Sequence, residues 1–199
     1  GQLDLSGASA FALDEYVGLP VGHPQSYAAV VEATVTMPLH LNAARVHVPD
    51  GAAADLDAAA SDYERRIAAA GGVDVQVLGV GSNGHVGFNE PSSSLASRTR
   101  VKTLSAQTRA DNARFFDSPD EVPRWCLTQG IGTILDARHL VLVAHGENKA
   151  AAVAALAEGP VSAMCPASVL QLHRRAVVFV DEAAASQLRL ADYYRDTHS

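Results

Sequence analysis

Val73–Glu90, reading VDVQVLGVGSNGHVGFNE, is the stretch that decides the fold. Its first half, Val73–Val80, is rich in valine, follows the helix stop Gly71–Gly72 and runs into further glycines. A short β-branched run bounded by glycine predicts a strand buried at the centre of a sheet. The second half places glycines, His85 and Glu90 directly behind that strand. In open α/β sheets ligands bind beyond the carboxyl ends of the strands, so this loop is the first candidate site.

Strand-like and helix-like segments alternate on both sides of it, which predicts an α/β fold with a mostly parallel sheet. Upstream, Ala10–Leu13 reads as a short strand ending at Asp14, and Arg45–Val48 as another. Ser26 can cap a helix running to about Thr36, with Pro38 closing it. Leu56–Ala70 sets Leu56, Tyr63 and Ile67 at helical spacing. Downstream, Gln107–Phe116 reads as a helix and Gly130–Asp136 as a short helix or turn. Leu140–Ala144 is a clear strand, Glu147–Glu158 an Ala-rich helix ended by Gly159–Pro160, and Val177–Val180 a last buried strand before a helix over Glu182–Leu190. No repeat or linker divides the chain, so residues 1–199 read as one domain.

Composition narrows the function classes. The 199 residues are 48% hydrophobic and 19% charged, ordinary for a globular protein and unlike a disordered one. A formal net charge of -7 argues against a nucleic-acid partner. No apolar run approaches the roughly 20 residues that cross a bilayer, and no charged-then-apolar signal pattern is present. Cys126 and Cys165 form no metal or redox motif and read as two free thiols of a cytoplasmic protein.

Three predicted strand ends carry polar groups: Asp14, the Gly79–Glu90 loop and the Gly146–Lys149 turn. Gly79-Val-Gly-Ser-Asn-Gly84 matches G-x-G-x-x-G, the dinucleotide fingerprint. That fingerprint needs a helix opening at the third glycine and an acidic residue about 20 positions on. Here His-Val-Gly-Phe-Asn-Glu-Pro follows instead, and the later region is basic (Arg98, Arg100, Lys102), which excludes a nicotinamide site. His85 and Glu90 stand close enough to meet, as a proton-transfer pair or as a structural one. No second His or Cys stands at ligand spacing, so a metal is not indicated. Of Asp14 and Glu15, adjacent on a strand, only one can face a cleft, where it would serve as a base or merely as a solvated strand end. Among the basic residues, Lys149 follows a strand and a glycine turn and is the better candidate for an anion ligand. Trp125 and Tyr193–Tyr194 read as packing residues.

At this point longer motifs accumulate. FALDEYVGLP (Phe11–Pro20), GVGSNGHVGFNEPSSSLASRTRVKTL (Gly79–Leu104), Leu135-Asp-Ala137, LVLVAHGENKA, Ser168-Val-Leu-Gln-Leu-His173 and Val180-Asp-Glu182 together resemble the glucosamine/galactosamine-6-phosphate isomerase family, that of the glucosamine-6-phosphate deaminases. The resemblance runs from about Gly1 to the last helix. It implies a three-layer Rossmann-like sheet, mostly parallel, with helices on both faces. It also implies an enzyme that opens the sugar ring, isomerises the aldose to a ketose imine and hydrolyses that to fructose 6-phosphate and ammonia. By motif, Asp14 would move the proton between C2 and C1, His85 would serve ring opening, Glu90 would orient it, and Arg114 and Lys149 would hold the phosphate. No metal or organic cofactor is implied.

Two departures from the family pattern stand out. Some members carry Asp where this chain has Asn83; Asn cannot act as a base, so Asn83 is expected to hydrogen-bond or place His85. The family also begins with a further strand and a Gly/Thr-rich phosphate loop that this sequence lacks, so the domain is expected to be N-terminally incomplete. Some members are hexamers activated by N-acetylglucosamine 6-phosphate through positions matching Ser93, Arg100 and Lys102. Retention of SRTRVK implies a homo-oligomer of that allosteric type. The alternatives are a related sugar-phosphate enzyme such as a 6-phosphogluconolactonase, or a non-catalytic sugar-phosphate-binding fragment.

Overall fold

The computed structural model describes residues 4–198. In chain order its elements are β1 (Ala10–Phe11), β2 (Asp14–Tyr16), α1 (Tyr27–Val31), β3 (Val46–His47), α2 (Leu56–Ala69), β4 (Val75–Leu78) and β5 (Arg100–Thr103). They continue with α3 (Ala106–Asn112), β6 (Trp125–Thr128), α4 (Ile131–Leu135), β7 (His139–Ala144), α5 (Ala150–Glu158), β8 (Ala176–Val180) and α6 (Ala191–His198). The fold is α/β as expected, with parallel pairing in two of its three sheets. The chain divides into two compact units: residues up to Gly72 with Arg98–Gln129, and Val73–Ser97 with the residues from Gly130 on.

In the first unit β1 pairs in parallel with β3, while β2, β6 and β5 form an antiparallel sheet with β6 in the middle. Helix α2 starts where the Asp55 carboxylate accepts the Ala58 N–H at 2.9 Å. It stops at Gly71 and Gly72, whose φ of +87° and +85° suit a residue without a Cβ. Its buried stripe, Ala60, Tyr63 and Ile67, follows helical spacing. The Tyr63 hydroxyl donates to the carbonyls of Ala12 and His47, tying α2 to the β1–β3 pair. Ser26 caps α1 as expected, and the helix continues as a π turn over Glu32–Thr36.

In the second unit β4, β7 and β8 form a parallel sheet in that order. One face is buried by Gln76, Leu78, Leu140, Leu142 and Ala144, with Ile131 and Ile134 of α4, Val153 and Leu156 of α5, and Val169 and Leu170 also in the core. The other face carries Val75, Val77, Val143, Val177 and Phe179, all about half exposed or more.

Several expected elements change. The Val73–Val80 strand lies at the edge of its sheet and is buried on one face only, and β8 is likewise largely exposed. Asp14 opens β2 instead of ending the first strand. Glu182–Leu190 forms turns, and the last helix begins at Ala191, because the Glu158 carboxylate accepts the N–H groups of Arg189 and Leu190 and so caps that start. Trp125 and Tyr193, read as packing residues, are 53% and 61% exposed. Both cysteines are free thiols. Among the described residues no helix is long and apolar enough to cross a membrane.

Candidate active site

Asp14 and Glu15 resolve by the alternation of a strand. Glu15 spends its carboxylate on three backbone donors: Tyr16 N–H at 2.7 Å, and Tyr27 and Ala28 N–H at 2.9 Å each. It therefore caps the first turn of α1 and fastens it to β2. With those donors left bare, Glu15→Ala is expected to lower the unfolding free energy by about 1–3 kcal/mol, read from a urea titration.

Asp14 takes the opposite face, 6% exposed, in register with Thr128 of β6 and through it with Arg100 of β5. The next same-face row is Tyr16, Cys126 and Lys102. Burial pushes the Tyr16 phenol up to about 12 and raises Tyr27 and Tyr63 as well, with the negative charge of Asp14 adding to each. Asp14 thus sits among phenols that stay neutral. Gln129, fully buried, donates its amide to the Ala12 carbonyl at 3.0 Å and its backbone N–H to Leu13, fixing the chain just before Asp14.

Arg114 lies in the same unit, on the 3-10 turn that extends α3, with its guanidinium 4.7 Å from the Phe115 ring centroid. That segment rests on Tyr16, whose hydroxyl accepts from the Asn112 amide at 3.0 Å and whose ring meets Phe116 edge-on. Arg100 and Lys102 are half-buried on one face of edge strand β5, and burial lowers the Arg100 pKa. None of Arg100, Lys102, Arg114 and Lys149 forms an ion pair among the described residues. Cations without a carboxylate partner are open to an anion.

In the second unit three neighbouring parallel strands end side by side, and each end carries polar groups. After β4 comes the Gly79–Glu90 loop, closed by the turn bond Gly84 N–H to Gly81 carbonyl at 2.9 Å. A Cβ on Gly81 would fall on the His85 ring, so that glycine exists to let the imidazole lie against the backbone. The glycines that mimic a dinucleotide fingerprint are those of a turn built around a histidine.

The Asn83 amide joins the other two polar groups. Its Nδ2 donates to Glu90 Oε2 at 2.9 Å, and its Oδ1 accepts from the His85 backbone N–H at 3.1 Å and from His85 Nδ1 at 2.7 Å. A carboxylate only accepts, which fixes the amide's orientation; an amide oxygen only accepts, so His85 Nδ1 carries its proton. Nε2 of the neutral ring is left with the lone pair. Glu90 itself stands 3.8 Å from Nδ1 and is 6% exposed. Ser93 follows in the next turn, with its hydroxyl buried and lacking a hydrogen-bond partner.

After β7, Gly146 at φ +87° begins the 3-10 turn that presents half-buried Lys149. Asp181, at the end of β8, accepts the N–H groups of Ala184 at 2.8 Å and Gly146 at 3.0 Å, which hold its carboxyl below the usual range. The strand-end motif Val180-Asp-Glu182 stood in the sequence, but its hold on the Lys149 turn did not. Tyr16, Asn112 and Gln129 were likewise missed, since a polar residue that serves backbone atoms distant in the chain leaves no local pattern. Among the described residues no group of three or more His, Cys, Asp or Glu side chains could hold a metal ion.

Both the sequence and the fold have known relatives. The glucosamine-6-phosphate deaminase of Pseudarthrobacter chlorophenolicus is 62% identical over 196 residues, which span 98% of this chain and 76% of the relative. A solved monomeric glucosamine-6-phosphate deaminase superposes with a TM-score of 0.88 at 44% identity, covering 90% of this chain and 74% of its own. The 6-phosphogluconolactonase of Trypanosoma brucei, 21% identical with a TM-score of 0.68 over 89% of this chain and 73% of its own, shares the fold. Residues 2–179 match the family of glucosamine-6-phosphate isomerases/6-phosphogluconolactonase, and the chain belongs to that family.

Proposed function

We propose that this chain is a glucosamine-6-phosphate deaminase of amino-sugar catabolism, converting glucosamine 6-phosphate to fructose 6-phosphate and ammonia. The observation that carries the reading is the Asn83–Glu90–His85 network, which holds a proton on Nδ1 and so makes Nε2 the basic nitrogen of the ring. Nε2 takes the anomeric hydroxyl proton as the C1–O5 bond breaks and returns it to O5. Asp14 then removes the C2 proton and delivers it to C1, while a proton passes from the amino group to O1; the aldose becomes a ketose imine, which water hydrolyses with release of ammonia. Glu90 acts on His85 through Asn83 and favours the imidazolium that forms transiently. Arg114 and Lys149 hold the phosphate and so anchor the reacting end of the sugar. The steps need no metal or organic cofactor.

The finer assignments are part of the same proposal. Arg100, Lys102 and Ser93 form the site of an activating sugar phosphate, N-acetylglucosamine 6-phosphate, in a cytoplasmic homo-oligomer. The shared face of Arg100 and Lys102 supports this, and the row from Arg100 through Thr128 to Asp14 gives the anion a route to the base. The buried Ser93 hydroxyl becomes available only when its turn opens.

The test is release of ammonium and fructose 6-phosphate from glucosamine 6-phosphate, with and without N-acetylglucosamine 6-phosphate. Release establishes the reaction, and its absence from the chain and from a longer form with upstream sequence refutes it. A substrate-saturation curve that the acetylated sugar phosphate leaves unchanged removes the activator site.

A further inference from the structure

The loop that carries His85 is bracketed by two residues in left-handed backbone, Gly84 at φ +84° and Ser92 at φ +74°. Ser92 is not glycine, and a residue with a Cβ holds that conformation only where its surroundings impose it. Both positions are gripped by one segment, Ser162–Ser168. The Ala167 N–H donates to the Gly84 carbonyl at 2.9 Å, and the Ser92 N–H donates to the Ala163 carbonyl at 2.8 Å. Cys165 Sγ packs so closely on Gly84 that a Cβ there would lie 2.7 Å from the sulfur.

That segment is shaped by a single side chain. Ser168 is fully buried; its Oγ accepts the Ser162 N–H at 2.9 Å and donates to the Ser162 carbonyl at 3.2 Å. The Cys165 N–H bonds Ser162 and the Ser168 N–H bonds Cys165, completing a closed seven-residue turn. One hydroxyl thus satisfies both backbone groups of Ser162 and sets where the Ala163 carbonyl and the Ala167 N–H point. Gly84 shares a peptide bond with His85, whose own N–H and ring both bond Asn83. A displaced Gly84 carbonyl therefore displaces the imidazole.

We propose that Ser168 is a positioning residue for proton transfer: it closes the Ser162–Ser168 turn into a clasp that holds both ends of the His85–Glu90 loop. This rests on the reading of that loop as the proton-transfer site. Ser168 touches no reacting atom and acts only through Gly84 and Ser92.

The test is Ser168→Ala assayed on glucosamine 6-phosphate. Turnover is expected to fall about tenfold to a hundredfold, the effect of a misplaced catalytic group, while KM stays within about twofold because the phosphate cations lie on other segments. The limb of the kcat–pH profile that reports the imidazole moves toward lower pH, since a looser loop weakens the support of Glu90 for the imidazolium. Native kcat with an unchanged pH profile in the folded variant overturns the proposal. Ser168→Cys, which keeps a weak donor in nearly the same volume, is expected to recover part of the loss.

His85→Gln is run in parallel. Retained turnover in that variant refutes the reading of the loop and the clasp with it, whereas its inactivity beside a native Ser168→Ala refutes the clasp alone. Hydrogen exchange on the unaltered protein gives a measurement independent of variant folding. The amides of Ala167, Ser92 and His85 are expected to exchange through one cooperative opening, and exchange of the first two well ahead of His85 overturns the proposal.

Discussion

Asp14→Asn leaves the fold intact and lowers turnover of glucosamine 6-phosphate by about 100- to 10,000-fold, the range lost when a placed general base is removed. The amide has the size of the carboxylate and fits the same buried position on β2, but it cannot take the C2 proton. Everything that places the side chain is outside it: the register with Thr128, the backbone bonds from Gln129, and the grip of Glu15 on α1 from the opposite face. Binding is therefore expected to persist. Calorimetric titration with the reduced, open-chain amino-alditol 6-phosphate, which cannot isomerise, should give an affinity within about threefold of the unaltered protein, because only ground-state contacts are sampled. Glu15→Ala supplies the contrast, since its loss falls on stability. An Asp14→Asn variant that keeps more than a tenth of its turnover removes Asp14 from the base role.

What the sequence disclosed depended on whether the signal was local. The Val73–Val80 run announced a strand by its density of β-branched residues, but apolar residues on both faces, Val75 and Val77 on one and Leu78 on the other, hid the fact that one face is exposed. Leu56–Ala69, with its cap, its 3.6 period and its glycine stop, was legible nearly to the residue. β5 and β6 were not: RVKT and WCLT have no alternation of their own and exist as strands by pairing with each other and with Asp14–Tyr16, far away in the chain. The same division governs the candidate site. Asn83, His85 and Glu90 lie within eight residues, so their meeting could be anticipated, and the structure joins them. The supports of the flanking groups come from distant segments, Asp181 for the Lys149 turn and Asn112 and Tyr16 for the Arg114 turn, and only the folded chain reveals them.

His85→Gln is expected to reduce turnover by about 100-fold or more, a loss that falls on ring opening before Asp14 can act. The loss turns on which ring nitrogen carries the proton. Asn83 Oδ1 is held by the His85 backbone N–H and faces Nδ1 at 2.7 Å, while the same amide's Nδ2 is committed to Glu90. Neither end of the amide can reverse without placing a donor against a donor or two acceptors together, so the tautomer with Nε2 unprotonated is built into the loop. Glutamine offers an amide with no comparable basicity, and it cannot carry a proton from the anomeric hydroxyl to the ring oxygen. The open-chain amino-alditol phosphate separates this from a folding defect: it needs no ring opening, and its affinity is expected to stay within about threefold while turnover collapses. If turnover at saturating substrate instead stays within tenfold, water opens the ring unaided at this site, and the network that Asn83 organises is structural.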